Sequence, residues 1–285
     1  MFTDERLDLR NYYTGVIHIH SEYSHDGHNK ISDMSAALKA DGVDFCVLTD
    51  HFEDFDDAKF RRYLTEIKEV NRLQQTVFVP AIEAEFLGFH VIFLPVSGYD
   101  QIRTIVDRRH LGDSPLIKIL AHPSKHPLSD VLALLRDHKL NGVELWNQQA
   151  DSSYLPPARC FQELIGALSG NIPSVIFGSD VHNLKHKIHN VILIDRKNSL
   201  TEESIVTHLR EKTYTNYNRK IGRHLSGNSS RVSIGRWFDE IRGKAENKAF
   251  VMQGVKRLLR FFYHLLPRST QHQINDFKNA VKSRF

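Results

Sequence analysis

Cysteine is scarce in this sequence: Cys46 and Cys160 are the only two among 285 residues. Neither has a partner at the spacing of a zinc site or of a disulfide framework, which favours a reducing compartment. The first residues lack the basic and then apolar layout of a signal peptide. No apolar run approaches the roughly 18 residues that span a bilayer. We therefore expect a cytoplasmic location, with any membrane association peripheral.

Charge is distributed unevenly along the chain, although the formal net charge is only +4. Residues 1–218 contain 23 Lys and Arg against 30 Asp and Glu, whereas residues 219–285 contain 15 against 4. Most histidines lie in the acidic part, with 14 of the 17 before residue 219. An acidic body followed by a basic tail predicts a boundary between them. We therefore expect one domain over residues 1–218 and a separate tail over residues 219–285.

Short apolar runs alternate with amphipathic helical patterns throughout the body of the chain. This alternation predicts an α/β architecture with a parallel, barrel-like sheet. In such barrels the chemistry collects at the C-terminal ends of the strands. His51, Glu83, His122 and Asp180 each fall just beyond a predicted strand. We therefore expect these side chains to meet at one end of the barrel.

Two histidines near the N-terminus are the first candidate metal ligands. Val16, Ile17 and Ile19 favour a strand, in which His18 and His20 would point to the same face. The polar face of a half-buried strand produces the same pattern, so the pair alone decides little. Further His, Asp and Glu residues near predicted strands complete a consistent set. The candidate ligands are His18, His20, Asp26, His51, Glu83, His90, His122, Asp180 and His182.

The composition of this set indicates the kind of metal centre. Nitrogen and oxygen ligands without thiolate suit Zn, Mn or Fe. Nine candidates exceed what one tetrahedral ion needs, so we predict two or three divalent ions. A cluster that holds a bridging hydroxide suits phosphoester hydrolysis, because one ion activates the attacking water while the others neutralise the phosphoryl and leaving-group oxygens.

The motifs that carry these residues, in their order along about residues 13–218, resemble the PHP family, named for polymerase and histidinol phosphatase. The resemblance implies a distorted seven-stranded (β/α)7 barrel with a trinuclear metal centre and phosphoesterase activity on phosphomonoesters or nucleotides. The matching motifs are His18-Ile-His20-Ser21 with Ser24 and Asp26-Gly27, Leu48-Thr49-Asp50-His51, Ile82-Glu83, His90-Val-Ile, Ala121-His122-Pro123 and Gly178-Ser179-Asp180-Val181-His182.

The resemblance also implies how the ligands divide among three ions. Many members carry the carboxylate for the third ion one residue earlier, where this chain has His25; its spacing is similar to that of the histidinol-phosphatase branch and selects Asp26. Glu83, as a bridging ligand, Asp180 and His182 are the predicted catalytic residues. The implied groups are His18, His20, Glu83 and Asp180; Glu83, His90 and His122; and Asp26, His51 and His182.

Three residues are predicted to contact the substrate. Ser24 and Lys125, with His126 beside it, could face the phosphate, although Ser and Lys are also common in loops. Asn147 ends a predicted strand at the same end of the barrel. Glu144 on that strand has either a substrate role or a packing role.

The basic tail reads as a linker followed by a helix. Residues 219–246 are rich in Gly, Ser, Asn and Arg and allow at most a short helix around Trp237. From Asn247 to Pro267 apolar residues recur at helical spacing among basic ones. This amphipathic helix could dock on the acidic body, lie on an anionic membrane surface or contact nucleic acid.

The leading prediction is therefore a metal-dependent phosphatase or phosphodiesterase that uses a metal-bound hydroxide on a small phosphorylated metabolite or nucleotide. The alternative is a nuclease, or a nucleic-acid-associated PHP module recruited by the basic tail. A PHP domain retained only for structure is a third possibility, and the full set of candidate ligands argues against it.

Overall fold

The computed structural model describes residues 7–73, 75–112, 114–151, 164, 173–230 and 233–241. The chain divides into two compact units, Met1–Trp237 and Phe238–Phe285. Of the second unit the structure describes residues 238–241, which are helical. Within the described ranges, every helix is too short or too polar to cross a membrane.

One sheet organises the first unit. In the described part of the chain it has ten strands in the order β10-β9-β8-β1-β2-β3-β4-β5-β6-β7. Strands β1 to β3 are parallel, as are β5 to β7, while β4 runs antiparallel between β3 and β5. The strands are β1 Tyr12–Ile19, β2 Phe45–His51, β3 Val77–Phe86, β4 Phe89–Leu94, β5 Ile117–Leu120, β6 Gly142–Asn147, β7 Ser174–Gly178, β8 Asn190–Asp195, β9 Thr215–Asn218 and β10 Arg223–Ser226.

Helices follow several of the strands. The longest helix has Phe60, Tyr63, Ile67 and Val70 buried at helical spacing, which gives it one apolar face. Its N-terminus is capped by Asp56, whose side chain accepts the Lys59 backbone N–H. The helices are α1 Ile31–Ala40, α2 Asp57–Arg72, α3 Tyr99–Arg108, α4 Leu128–Asp137 and α5 Glu202–Glu211.

The sheet curves until its seventh strand returns to its first. Just after β7, the Ser179 backbone N–H donates to Ile17 O at 2.9 Å, and the His20 N–H donates to Val181 O at 2.9 Å. Farther down, the Asn216 side chain from β9 joins β7, accepting the Phe177 N–H at 2.9 Å. The result is a nearly closed, barrel-like sheet.

The predicted α/β class with a barrel-like sheet is confirmed, but the sheet has ten strands in the described part of the chain instead of seven. Strands β1 to β7 follow one another in chain order around the sheet. The additional strands β8, β9 and β10 form an antiparallel group that pairs with the first half of β1, at Tyr12–Gly15. Periodicity alone does not reveal that these last short strands join the same sheet.

The two faces of the sheet bury separate apolar cores. One core lies between the sheet and helices α1 to α4. The other contains Phe45, Val47 and Ile119 from the strands together with Ile205 and Leu209 from α5. This second core, to which α5 contributes, fills the inside of the barrel with apolar side chains. The C-terminal ends of the strands are left for polar groups.

The segment predicted as a linker contains regular structure. Strand β10 pairs antiparallel with β9 and buries Leu225, and residues 233–237 are helical, within the short helix allowed around Trp237. A four-residue strand has too little periodicity to be recognised among Gly, Ser and Asn. The division at residue 218 stays a prediction, and the predicted helix from Asn247 lies outside the described residues.

Candidate metal centre

Three of the candidate ligands adopt unusual backbone conformations. His18, His122 and Asp180 have φ values of 68°, 28° and 52°. Positive φ costs a residue other than glycine about 1–3 kcal/mol and is concentrated at functional sites. Each of these residues lies at or just beyond the C-terminal end of a strand, so these three strained positions lie at the same end of the barrel.

His18 lies in a β-bulge, where the sequence predicts a regular strand. Ile17 pairs with Val47 and Ile19 with Leu48, so His18 is an extra residue on β1. The expectation that simple alternation sets the direction of both imidazoles is therefore wrong. The bulge still brings the His18 and His20 rings together, with centroids 5.2 Å apart.

The Glu83 carboxylate lies at the centre of the candidate site and is buried. Its Oε2 atom is 3.2 Å from His18 Nε2, 3.3 Å from His51 Nδ1 and 3.5 Å from His20 Nε2. The pairing of β2 with β3 explains part of this, because His51 lies directly beside Glu83 in the register.

The other oxygen of Glu83 faces a second pair of histidines. Oε1 is 2.9 Å from His90 Nδ1 and 3.0 Å from His122 Nε2. These residues come from β4 and from the end of β5. The two oxygens of one carboxylate therefore meet different sets of imidazoles.

Two aspartates complete the cluster. Asp180 Oδ1 is 3.3 Å from His18 Nε2 and 3.5 Å from His20 Nε2. Asp26 Oδ2 is 3.0 Å from His182 Nε2 and 3.4 Å from His51 Nε2. His25, in contrast, directs its Nδ1 to Asp54 at 2.8 Å, and its side chain is 70% exposed.

All nine candidate ligands converge in the structure. Among the described residues, potential ligand atoms lie within 4.8 Å of one another in four overlapping groups. These groups divide the residues differently from the three implied by the family resemblance, because His18, His20 and His51 each join two groups. Ligation by each residue stays a prediction. The groups are His20, Asp26, His51 and His182; His18, His20 and Asp180; His18, Glu83 and His122; and His51, Glu83 and His90.

The site contains buried polar atoms that fit a cation. His18 Nε2, His20 Nε2, His122 Nδ1 and Asp26 Oδ1 are buried without a hydrogen bond. An unsatisfied buried polar atom costs about 1–3 kcal/mol, and ligation of a cation would remove that cost. Imidazole and carboxylate donors without thiolate match Zn, Mn or Fe. The residues present therefore fit a divalent metal centre.

The electrostatics of the cluster favour the metal-binding protonation state for some of its groups and oppose it for others. Burial opposes ionisation of His18, but the carboxylates of Glu144, Glu83 and Asp180 raise its pKa, and the hydrogen bond to Glu83 raises the pKa of His90. Burial opposes ionisation of Glu83 and Asp180, but neighbouring histidines, first of all His18, hold the pKa of both carboxyl groups below the usual range. Burial, and then a neighbouring imidazole, lowers the pKa of His51 and His182. Ionised carboxylates and neutral imidazoles are the forms that bind metals.

Exposure divides the site into a floor and a mouth. The side chains of His18, His20, Glu83 and His122 are buried and form the floor. At the mouth the side chains of His90, Asp26 and His182 are 38%, 35% and 29% exposed. A substrate would therefore approach from the side of these three residues.

The predicted substrate-binding residues have different surroundings. Ser24 is buried; its Oγ donates to Asp50 Oδ1 at 2.7 Å and accepts the His51 backbone N–H at 2.9 Å. Asn147 is fully buried. Lys125 is exposed in the short turn after β5. Contact of Ser24, Lys125 and Asn147 with substrate stays a prediction.

Asp50 and Glu144 both stand out in the sequence, but sequence reasoning did not predict that they support the candidate ligands. Asp50 accepts the Ser21 backbone N–H at 2.8 Å and the Ser21 hydroxyl at 2.7 Å, which fixes the turn after β1. Glu144 contacts His18 Nδ1 at 2.8 Å. The sequence did contain one signal of such a role: Glu144 is a carboxylate in an otherwise apolar strand, and acidic residues are rarely buried without a partner.

A barrel-like α/β sheet with a cluster of imidazoles and carboxylates at the strand ends defines a class of metal-dependent proteins. The model of the PHP domain matches residues 17–194, and the chain belongs to this family. The family and the site together support a metal-dependent hydrolase.

Several solved structures resemble the chain distantly. A proposed metal-dependent phosphoesterase from Bifidobacterium adolescentis is 11% identical, over 67% of this chain and 93% of that one, with a TM-score of 0.41. PsfC from Pseudomonas syringae is 14% identical, over 82% and 99%, with a TM-score of 0.46. An amidohydrolase from Chromobacterium violaceum is 14% identical, over 59% and 87%, with a TM-score of 0.40. These likenesses are too distant to bear on substrate or mechanism. A search of curated proteins gives no match.

Proposed function

We propose that the protein is a metal-dependent phosphoesterase that hydrolyses a small phosphorylated metabolite or nucleotide at a centre of two or three divalent ions. The observation that carries this proposal is the convergence of nine His, Asp and Glu side chains from distant strands around the Glu83 carboxylate. Zn, Mn and Fe are the metals that this donor set favours.

A centre of several ions is supported by the arrangement around the three carboxylates. Glu83 offers one oxygen to His90 and His122 and the other to His18 and His51. Such a carboxylate is suited to bridge two ions. Asp26, between His51 and His182, lies on another side of the cluster and would serve a third.

The chemistry divides between the ions and the chain. Divalent ions, when bound, would supply a water of lowered pKa and neutralise charge on the phosphoryl and leaving-group oxygens. The chain's own carboxylates, Glu83 and Asp180, would hold these ions in place. At the mouth, His90 and His182 border the approach of the substrate. We assign proton delivery to the leaving oxygen to one of these histidines or to a water beside them.

The proposal is tested by metal analysis of the purified full chain combined with a panel of phosphoesters. We expect the protein to contain Zn, Mn or Fe. It should either release phosphate from small phosphomonoesters or cleave small phosphodiesters to monoesters. Activity should disappear with a chelator and return with added metal. A protein that binds none of these metals, or that binds them and cleaves no phosphoester, would contradict the proposal.

The same panel separates the nuclease alternative. Preferential cleavage of oligonucleotides, with binding that weakens steeply as salt increases, would favour a nucleic-acid partner for the basic tail. Flotation with anionic liposomes would instead favour a membrane surface. Residues 242–285 lie outside the described part of the chain, so both partners stay predictions.

A further inference from the structure

A buried carboxylate behind the candidate metal centre contacts two of its histidines. Glu144 Oε1 lies 2.8 Å from His18 Nδ1, and Oε2 accepts the His122 backbone N–H at 2.8 Å. Oε2 also accepts a hydrogen bond from Asn147 Nδ2 at 2.9 Å. One side chain on β6 thus links residues from β1 and from the end of β5.

These contacts decide which nitrogen of His18 faces the cluster. An ionised carboxylate only accepts hydrogen bonds, so the His18 nitrogen beside it must carry a proton. With Nδ1 directed to Glu144, Nε2 is the nitrogen that faces the cluster, 3.2 Å from Glu83 Oε2 and 3.3 Å from Asp180 Oδ1. A metal ion in the cluster would therefore bind His18 through Nε2, with Nδ1 keeping its proton.

Both linked residues have a strained backbone. His18 and His122 both have positive φ, and a residue keeps such a conformation only where surrounding contacts hold it. Glu144 contacts the side chain of one and the backbone N–H of the other. Among the described residues it joins none of the groups of potential metal ligands, so it contacts candidate ligands without being one itself.

The neighbouring strand is built to leave room for Glu144. Gly178 ends β7 beside β6, and a Cβ atom at this position would collide with Glu144 Oε1. Glycine here is needed for the close approach of the carboxylate and not for its own backbone conformation. The absence of a side chain at Gly178 therefore makes room for the carboxylate that contacts His18 and His122.

We propose that Glu144 is a positioning residue that fixes the tautomer of His18 and the backbone of His122 for metal binding. This inference rests on the proposed function, because it needs the cluster to hold metal. Carboxylates that orient metal-binding histidines typically change metal affinity 10–100-fold when they are removed. Nothing in this role requires contact with the substrate.

The test compares Zn²⁺ affinity in variants of the full chain, measured by competition with a chelator. In Glu144→Gln the amide can still accept from His18, but its NH2 group would face the His122 N–H. We expect about 10–100-fold weaker binding for this variant and a larger loss for Glu144→Ala. Gly178→Ala, which keeps Glu144 and every candidate ligand, should also bind more weakly.

A matched control separates positioning from stability. Tyr214→Phe removes buried hydrogen bonds to Ser174 and Val175 near the other end of β7. It should lower the melting temperature but leave Zn²⁺ affinity unchanged. Folded Glu144→Gln and Gly178→Ala variants with wild-type affinity would overturn the inference.

A measurement on the wild-type protein covers the case in which these variants do not fold. In the Zn²⁺-loaded chain, ¹⁵N NMR of labelled histidine should show His18 protonated at Nδ1 and bound through Nε2. The opposite tautomer would refute the role of Glu144. If the wild-type chain binds no Zn²⁺, Mn²⁺ or Fe²⁺, the proposed function fails together with this inference. If the chain binds metal and cleaves phosphoesters but shows the opposite tautomer of His18, only this inference fails.

Discussion

The two ends of the barrel are built from the same strands but differ in almost every property. At the N-terminal end, Ile205, Val206 and Leu209 of α5 pack into the apolar core inside the sheet. At the C-terminal end, the strands finish in imidazoles and carboxylates, three of them with positive φ. The apolar end supplies packing stability, and this stability permits strained residues and unsatisfied polar atoms at the other end.

The largest expected effect comes from removing the carboxylate at the centre of the site. Glu83→Ala should lower the turnover of the best phosphoester by several powers of ten, because both oxygens of Glu83 face candidate ligands. Glu85→Ala is the matched control, since Glu85 is exposed on the same strand. Steady-state kinetics on both variants checks this prediction. Near-normal turnover in Glu83→Ala would be incompatible with the proposed centre.

A mutation in the apolar core at the N-terminal end of the barrel should reduce stability and leave metal binding intact. Leu209 is buried in the inner core, so Leu209→Ala should lower the free energy of unfolding by about 2–5 kcal/mol. Denaturant unfolding measures this loss, and metal content measured in parallel should not change. If Leu209→Ala removed the metal while the protein stayed folded, the proposed separation between the two ends would be wrong.

The two adjacent candidates for the third ion can be separated by mutation. Asp26→Ala should bind fewer metal ions per chain, because the Asp26 carboxylate lies between His51 and His182. His25→Ala should keep the full metal content, since His25 faces Asp54. Elemental analysis of both proteins after gel filtration decides between them. Loss of metal in His25→Ala alone would reverse the assignment.

A smaller effect is expected where the sheet closes. The Asn216 amide accepts from Phe177 N–H and donates to Val175 O and Leu225 O, so it joins β7 to β9 and β10. Asn216→Ala removes all three of these buried hydrogen bonds, although Val175 O keeps the Tyr214 hydroxyl as a partner, and it should cost about 1–3 kcal/mol of folding stability. Thermal unfolding checks the change, and a variant as stable as wild type would show that the closure carries little energy.

The sequence predicted the members of the site better than their geometry. His18, Glu83 and Asp180 stand in short local motifs next to recognisable strands, so their convergence followed from the barrel architecture. The bulge at His18 did not follow, because it is visible only in the register between β1 and β2. The same limit applies to β8, β9 and β10, whose pairing depends on contacts across the whole domain.

The role of Glu144 shows why the remaining part was out of reach. It contacts His18, which is 126 residues away in the chain, and it needs the space that Gly178 leaves. Neither the contact with His18 nor the space at Gly178 leaves a pattern in the sequence around Glu144. A buried acid in a strand indicates that a partner exists, but it does not indicate which one.

The proposed function requires the converging His, Asp and Glu side chains to bind several divalent ions around Glu83. Anomalous diffraction at the manganese edge, from crystals of the full chain grown with Mn²⁺, would locate such ions. We expect two or three peaks among His18, Glu83, Asp180 and the other converging residues. A map without peaks there, or with manganese bound only elsewhere, would contradict the proposed function.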